Sequence, residues 1–275
     1  MPKYDDTLGD AIKAIEDAES MRSAETGQPI VVRVDGVAFS KFTKGMARPF
    51  DLDMSEAMVS AASAVVRDFH CRIGYTQSDE MSFILWHPTN ELPHSGRLQK
   101  LASRFAAKAT AAFLLEALER FPDRVRKQVP EFDGRATAFP SVDLAAKAIL
   151  WRELDARKNS VSMAARAHFS ANQLHGKSSA EMRAMLLSKG VDFREYPERF
   201  RRGVFLRRVI EERMLTDEEL ARIPEKHRPQ GPVTRSRVAQ VSLPPLHLVE
   251  NLAEVLFEGA EPAVETRRFA DAVIV

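Results

Sequence analysis

Two short apolar segments are separated by only two residues, and this spacing constrains the fold more than any other feature of the chain. The segments are CRIGYTQ (71–77) and EMSFILWH (80–87), and only Ser78 and Asp79 lie between them. Their β-branched and aromatic residues predict strands, and a two-residue connection between strands predicts a tight antiparallel hairpin. The hairpin would place Asp79 at one edge of a sheet.

The elements on either side of this hairpin extend the pattern. A β-branched run, IVVRVDG, predicts a buried strand that ends at Asp35 and Gly36. The other predicted elements are helices at 53–69 and 97–121 and a strand at 135–140. The resulting β-α-β-β-α-β order predicts an α+β fold with a ferredoxin-like sheet and both helices on one face.

The rest of the chain predicts appended elements. These are helices at about 143–169 and 178–189, a strand or extended arm at 203–212, a loop at 222–235 and a short strand at 238–245. Because no proline-rich linker precedes residue 222, we expect one catalytic unit over residues 1–210 and a C-terminal extension over residues 211–275.

Composition excludes several classes of protein. The chain has 275 residues and one cysteine, Cys71, so an internal disulfide and a cysteine-based zinc site are excluded. No run approaches the roughly 18 apolar residues that a membrane span needs. The acidic N-terminus lacks the apolar region of a secretory signal. We therefore expect a reduced, cytoplasmic protein with no membrane contact.

Charge is balanced overall but unevenly distributed. The formal net charge is +1, whereas residues 147–208 contain 14 basic and six acidic groups. Such a segment could bind a polyanion locally. The alternative is an ordinary solvated helical surface.

Paired carboxylates suggest a metal site. In the predicted sheet, Asp35 at the end of the first strand and Asp79 in the hairpin meet at one edge, and Glu80 follows directly. Two carboxylates so close repel each other unless a cation neutralises them, and magnesium prefers oxygen ligands of this kind. Two such ions would suit phosphoryl transfer. The alternative is a pair of surface aspartates at turns.

A glycine follows the first of these carboxylates. Gly36 would let the backbone approach a phosphate or metal closely, and the amides of residues 36–40 could form an anion-binding nest. A structural turn explains the glycine equally well. The chain has no GxxxxGK[ST] element, so a P-loop enzyme is excluded.

Four sequence blocks together resemble the tRNA(His) guanylyltransferase family, whose members add nucleotides to RNA 5′ ends in the 3′–5′ direction. The blocks are RVDGVAFSKFT (33–43), ARPFD (47–51), GYTQSDEMSFIL (74–85) and FDGRATAFPS (132–141). Their order and spacing match across roughly residues 5–210. The resemblance implies a polymerase-like palm fold, which agrees with the β-α-β-β-α-β order.

The resemblance also implies roles for individual residues. Two Mg²⁺ ions would bind Asp35, Asp79 and the carbonyl of Gly36, and Glu80 is a third acidic catalytic candidate. A nucleoside triphosphate would contact the amides of Gly36, Val37, Ala38, Phe39 and Ser40 and the side chains of Arg48 and Ser78. The stretch with Lys100, Ser103 and Arg104 matches one that handles the activating nucleotide, although a solvated helix face is the alternative. The implied substrates are ATP, GTP or another NTP, and a tRNA 5′ end.

Two departures from the eukaryotic pattern point to one branch of the family. Val37 stands where those members have arginine, and RKNS (157–160) replaces their HINN motif. These features resemble the bacterial, archaeal and phage guanylyltransferase-like branch, whose members prefer template-paired addition and repair truncated tRNAs. Arg157, Lys158 and Asn159 are therefore candidate RNA contacts, with a polar helix surface as the alternative. Untemplated guanosine addition remains the alternative activity.

Two other classes of protein compete with this interpretation. A diguanylate cyclase shares the palm and the paired carboxylates, but its hairpin reads GGDEF where this chain has QSDEM. A catalytically silent RNA-binding protein on a ferredoxin-like sheet would not explain the presence of Asp35 and Asp79. Family members often form tetramers, so the resemblance also implies a homotetramer.

Overall fold

One antiparallel sheet organises the part of the chain that the structure describes. The computed structural model describes residues 6–89 and 92–264. Six strands in this part form a single sheet: β1 (Ile30–Gly36), β2 (Ile73–Gln77), β3 (Glu80–Leu85), β4 (Phe132–Ala138), β5 (Val204–Arg213) and β6 (Val233–Val241).

Helices cover both faces of this sheet and connect its strands. In chain order they are α1 (Asp6–Ser20), α2 (Phe39–Phe42), α3 (Leu52–Phe69), α4 (Leu98–Arg120), α5 (Pro122–Lys127), α6 (Val142–Arg166), α7 (Ala171–Leu174), α8 (Ser179–Ser188), α9 (Glu198–Arg202), α10 (Asp217–Ala221) and α11 (Leu252–Phe257). Within the described residues, no helix is both long enough and apolar enough to cross a membrane.

The strand order confirms the predicted ferredoxin-like core. The sheet runs β4-β1-β3-β2-β5-β6, and its first four strands have the order that the β-α-β-β-α-β pattern produces. The predicted hairpin is confirmed: β2 pairs with β3, and Gln77 lies opposite Glu80. Strands β5 and β6 extend the sheet beyond β2, so the core is larger than the four-stranded sheet expected from the sequence.

The two faces of the sheet have separate apolar cores. Helices α3 and α4 cover one face, where Phe83, Phe105 and Phe113 are fully buried. Helices α6 and α11 cover the other, where Ile84 and Ile149 are fully buried. The prediction that the helices at 53–69 and 97–121 share one face of the sheet is therefore confirmed.

Strand β4 begins three residues before its predicted start. The three added residues are FDG, and the dipeptide Asp-Gly is a local turn signal. In the structure Gly134 lies within the strand, and a Cβ there would sit 2.4 Å from the carbonyl oxygen of Ala102. The glycine thus allows α4 to pack against the sheet, and tertiary contact overrides the local turn signal.

Strand β6 also differs from its prediction. It starts at Val233, inside the segment predicted as a loop at 222–235, and ends at Val241, before Pro244 and Pro245. Its nine residues all pair with β5, which supplies the hydrogen-bond partners that the local sequence does not reveal. The predicted division at residue 210 falls inside β5 and remains a prediction.

Candidate active site

Three strand ends meet at one edge of the sheet and bring the predicted carboxylates together. Asp35 in β1 lies directly opposite Glu80 in β3 and opposite Asp133 in β4. The amide of Gly36 donates a hydrogen bond to the carbonyl oxygen of Asp79 over 3.0 Å. Asp133 is a fourth acidic residue at this edge that the sequence analysis missed. Pairing β1 with the FDGR block in antiparallel register would have predicted that Asp133 lies opposite Asp35.

The electrostatics of this edge favour a bound cation. Burial raises the pKa of Asp35, and the negative charge of Asp79 raises it further, while Arg33 partly offsets both effects. A raised carboxyl pKa means that the ionised form is destabilised in the folded protein. A cation between the carboxylates would remove that penalty.

Glu80 has a different environment from Asp35. An Arg152 guanidinium nitrogen lies 3.1 Å from its carboxylate, and the Arg33 Nε lies 3.6 Å from it. Burial still raises the pKa of Glu80, and the two arginines act in the opposite direction. The protein itself therefore compensates the charge of Glu80, whereas Asp35 and Asp79 are better placed to serve a ligand.

The donor set fits magnesium that binds together with a substrate. Among the described residues, no group of three or more histidine, cysteine, aspartate or glutamate side chains could hold a metal ion by itself. Asp35, Asp79 and the Gly36 carbonyl offer only oxygen atoms. Magnesium usually binds through one or two carboxylates plus substrate phosphates, so these residues suit a metal that arrives with a triphosphate.

Phe39 explains why residue 36 is glycine. A Cβ on residue 36 would lie 2.3 Å from a ring carbon of Phe39. That ring is buried and packs against Phe132 and Phe113, with centroid distances of 4.9 and 5.3 Å. The aromatic cluster therefore sits directly beneath the end of β1 and fixes the backbone that follows Asp35.

The amides of the predicted nest fall into two groups. The Gly36 amide binds the Asp79 carbonyl, and the Val37 amide donates to the Glu131 carbonyl over 2.9 Å. Ala38 then adopts a left-handed conformation, with φ of 52°, and starts α2. Residues 38–40 are therefore the part of the nest whose amides begin a helix, and their binding to phosphate stays a prediction.

A cleft of about 490 Å³ opens beside Asp79. The predicted residues Ser40, Arg48 and Ser78 line it, together with three cations that the sequence analysis did not single out: Lys44, Arg166 and Arg199. They come from α2, the loop between α2 and α3, the hairpin, the C-terminal end of α6, and α9. The cleft is thus a basic cavity next to the carboxylate edge.

Asp51 fixes the segment that carries Arg48. Its carboxylate accepts hydrogen bonds from the Met54 amide at 2.9 Å, as the N-cap of α3, and from the Ala47 amide at 3.0 Å. Asp51 is of a residue type that commonly caps helices, because its side-chain oxygen accepts from a free amide of the first turn. One side chain therefore ties the loop that lines the cleft to the start of a core helix.

The structure does not bring Lys100, Ser103 and Arg104 to this cleft. All three are exposed near the start of α4. This end of α4 lies beside the segment that leads into β1, because the Ala24 amide binds the Gly96 carbonyl. They flank Ala102, whose carbonyl oxygen packs against Gly134 in β4, the residue that pairs with Val34. None of the three lines the cleft, and their role stays a prediction.

The three candidate RNA contacts on α6 have different environments. Arg157 is half-buried, donates to Nδ1 of His247 over 3.2 Å, and has its pKa lowered by burial. Asn159 donates to Asp155 over 3.2 Å, whereas Lys158 is exposed. Lys158 and Asn159 are accessible on the helix surface, and Arg157 contacts the C-terminal segment.

The antiparallel palm-like sheet and the carboxylate edge beside a basic cleft define a palm-type nucleotidyltransferase. The family model for tRNAHis guanylyltransferase matches residues 10–140. The tRNA(His) guanylyltransferase of Schizosaccharomyces pombe is 32% identical over 198 residues, which cover 66% of this chain and 75% of that protein. The chain belongs to the tRNA(His) guanylyltransferase family.

Solved structures support the same assignment. A bacterial tRNA(His) guanylyltransferase-like protein in complex with ATP is 30% identical, with a TM-score of 0.71, and the match covers 87% of this chain and 94% of that one. A bacterial guanylyltransferase-like structure in complex with GTP is 28% identical, with a TM-score of 0.64 and coverage of 88% and 94%. These likenesses support the guanylyltransferase-like branch of the family.

Proposed function

We propose that this protein adds nucleotides to the 5′ end of tRNA in the 3′–5′ direction, using ATP for activation and GTP or another NTP as the added unit. The observation that carries the proposal is the junction of Asp35 and Asp79 at two strand ends, next to the basic cleft. The ATP and GTP complexes of the bacterial structures support nucleotide substrates.

Two magnesium ions would be held by Asp35, Asp79 and the Gly36 carbonyl, as the resemblance implies. When bound, they would supply positive charge to a phosphoryl group and to its attacking and leaving oxygens. Glu80 is placed to complete the acidic edge while Arg33 and Arg152 balance its charge.

The reaction needs two in-line displacements. In the first, a 5′-phosphate oxygen of the RNA attacks the α-phosphorus of ATP, which forms a 5′-adenylylated end and releases pyrophosphate. In the second, the 3′-hydroxyl of the incoming NTP attacks the activated 5′-phosphorus of the RNA, and AMP leaves. Arg48, Ser78 and the amides of residues 38–40 would orient a triphosphate in the cleft.

No protein nucleophile is required for these steps. Cys71 is buried, and burial raises the pKa of its thiol, so it would remain protonated and inert.

The direct test is incubation with α-labelled ATP and 5′-phosphorylated tRNA. Label transfer to RNA would support the proposal. Formation of a cyclic dinucleotide would instead support the cyclase alternative, and absence of any phosphoryl transfer would support a catalytically silent RNA-binding protein.

We further propose that addition is template-dependent and serves 5′-end repair. The support is the RKNS segment and Val37, because a site without side chains dedicated to one base must take specificity from pairing with the template. A mismatch then leaves base hydrogen-bonding groups unsatisfied. Single-turnover addition to a truncated tRNA, with each template base and each NTP, tests this point. Guanosine addition regardless of the opposing base would establish the untemplated alternative.

The partners and location follow the same interpretation. We propose the tRNA acceptor stem as the macromolecular substrate, contacted by Lys158 and Asn159 on α6. A single buried cysteine is consistent with a reducing, cytoplasmic setting. A homotetramer remains a prediction that sedimentation equilibrium would test.

A further inference from the structure

Glu80 lies beside the predicted metal ligands but does not form a metal-binding group with them. It is directly opposite Asp35 on the neighbouring strand, and residues paired in this way across an antiparallel sheet point to the same face. It also follows Asp79 in the chain. Within residues 6–89 and 92–264, however, no three acidic, histidine or cysteine side chains are grouped so that they could hold a metal ion. The edge therefore offers two carboxylates, and the third is held elsewhere.

Two arginines hold the Glu80 carboxylate. One guanidinium nitrogen of Arg152 donates to both of its oxygens, over 3.1 and 3.4 Å, and the Nε of Arg33 lies 3.6 Å away. The side chains of Arg152 and Glu80 are 15% and 25% exposed, so water screens this pair only in part. Hydrogen bonds from a planar guanidinium are directional, so they fix the position of the carboxylate as well as compensating its charge.

Helix α6 gives Arg152 a fixed starting point. The next residue, Glu153, is fully buried and accepts a hydrogen bond from Arg202 over 2.7 Å. Ile149, nearly one turn earlier, is fully buried in the core between α6 and the sheet. Because residues on both sides of Arg152 are immobilised by packing, its guanidinium is preorganised toward Glu80 rather than free to follow it.

Releasing Glu80 would change what the edge can bind. Side chains directly opposite each other on neighbouring strands have Cβ atoms about 5 Å apart, which is within reach of a shared cation. Three carboxylates in one place would bind a free divalent cation without substrate. Two carboxylates leave coordination positions that substrate phosphates must fill. The pairing of Glu80 therefore influences when the metal binds, as well as the stability of the fold.

We propose that Arg152 is a positioning residue for the metal site: it holds Glu80 away from Asp35 and Asp79, so that magnesium binds tightly only together with a nucleoside triphosphate. The inference rests on the proposed function, which supplies the metal and the triphosphate. Arg152 itself contacts neither of them. Arg33 assists, because its guanidinium lies between Glu80 and Asp35, whose carboxylate is 3.9 Å away.

Manganese binding to the nucleotide-free protein tests this role without catalysis. Electron paramagnetic resonance of free Mn²⁺ gives the affinity. For Arg152→Gln we expect Mn²⁺ to bind about tenfold more tightly than in wild type, which is the scale on which groups outside the ligand set alter metal affinity. Arg152→Lys keeps the charge but loses the planar guanidinium, so its affinity should lie between those of wild type and Arg152→Gln.

Loss of a positive charge near any metal site also favours cation binding, so the control variant must lose one as well. Arg135 in β4 acts on the same edge, since its charge lowers the pKa of Asp35. Among the described residues, the arginines paired with Glu80 are Arg33 and Arg152, not Arg135. Arg135→Gln therefore measures the effect of charge alone, and its gain in Mn²⁺ affinity should be smaller than that of Arg152→Gln.

The Glu80→Gln background separates positioning from simple loss of charge. If Arg152 acts through Glu80, adding Arg152→Gln to Glu80→Gln should raise the Mn²⁺ affinity no more than Arg135→Gln does in wild type. The proposal is wrong if Arg152→Gln binds Mn²⁺ no more tightly than Arg135→Gln, or if its full gain persists in the Glu80→Gln background.

Melting temperatures provide a second readout. Arg152→Gln leaves a partly buried carboxylate with a single arginine partner, so it should melt below wild type without metal and gain more than wild type from added Mn²⁺. If Arg152→Gln does not fold, Glu80→Gln still tests the proposal. Because only Asp35 is a ligand, Asp35→Asn should weaken Mn²⁺ binding more than Glu80→Gln does. Equal losses would make Glu80 a ligand and overturn the proposal.

Failure of this proposal is distinguishable from failure of the proposed function. If wild type transfers label from ATP to RNA while Arg152→Gln gains no affinity for Mn²⁺, Arg152 has no positioning role and the function stands. If wild type transfers no label while Arg152→Gln gains affinity through Glu80, the positioning role stands without the proposed reaction.

Discussion

The backbone amide of Gly36 donates a hydrogen bond to the carbonyl oxygen of Asp79 over 3.0 Å. This bond ties the end of β1 to the β2–β3 hairpin without using either carboxylate. The side chains of Asp35 and Asp79 thus remain available for a ligand, while the backbone fixes the relation between the residues that carry them.

Replacing either carboxylate should abolish nucleotide addition. For Asp35→Ala and for Asp79→Ala, we expect a loss of roughly 1000-fold or more in single-turnover addition, because each removes a magnesium ligand. The fold should persist by circular dichroism. Asp123→Ala, which removes a carboxylate that is 83% exposed, is the control and should keep normal activity. Near-normal rates in Asp35→Ala or Asp79→Ala would contradict the metal assignment.

The pH dependence of stability provides a second test of Asp35. Its pKa is raised by burial and by Asp79, so the penalty for its ionised form is present above that raised value and disappears as the pH falls below the ordinary aspartate pKa. Without metal at pH 7, Asp35→Asn should therefore raise the melting temperature, by roughly 1–3 °C given its partial exposure. This gain in melting temperature should shrink at acidic pH.

Magnesium should reverse the order of stability of wild type and Asp35→Asn. Added with a triphosphate, it should stabilise wild type more than Asp35→Asn, because the variant has lost one charged ligand. Calorimetric scans with and without the metal and nucleotide make the comparison. Equal stabilisation of both proteins would exclude Asp35 as a ligand.

A methyl group at residue 36 should damage both stability and activity. Gly36→Ala places a Cβ 2.3 Å from the Phe39 ring, and overpacking of this kind costs about 1–3 kcal/mol. The end of β1 must then move, and nucleotide addition should fall with it. Gly9→Ala is the control, since nothing lies within 4 Å of its added Cβ, and it should be neutral or slightly stabilising. Urea unfolding measures the stability of both variants.

The two cations on α6 should give different phenotypes. Lys158 is exposed, so Lys158→Ala should weaken tRNA binding and lower its salt slope by about one. Arg157 contacts His247, so Arg157→Ala should mainly lower the melting temperature by loosening the C-terminal segment. Identical salt slopes for wild type and Lys158→Ala would place this lysine outside the RNA interface.

A buried ion pair between Glu153 and Arg202 connects α6 to α9. Glu153 is fully buried; it accepts from Arg202 Nε over 2.7 Å and from the Leu246 amide over 2.9 Å. Arg202→Met should destabilise the protein by about 3–5 kcal/mol, because it leaves a buried carboxylate unpaired. Glu153→Gln combined with Arg202→Met should cost less than Arg202→Met alone, measured by urea unfolding. Lys177→Ala, at an exposed pair, should change stability by less than about 0.5 kcal/mol.

Local sequence was sufficient where short-range rules dominate. The two-residue connection at Ser78 and Asp79 determined a hairpin, and the β-α-β-β-α-β order determined the ferredoxin-like core. Asp51 as the N-cap of α3 was also predictable, because capping depends on residues only three positions away.

Long-range contacts decided the rest. Asp133 joins the acidic edge only through the register of β4 with β1. Strand β4 begins earlier than predicted because Gly134 leaves room for α4 to pack against it. The placement of Lys100 and Arg104 away from the cleft depends on the direction of a helix rather than on its residues. The sequence by itself determined which elements form and where the carboxylates fall on them. Only the tertiary structure decided which side chains share a cavity, because pairing register and helix packing depend on residues far apart in the chain.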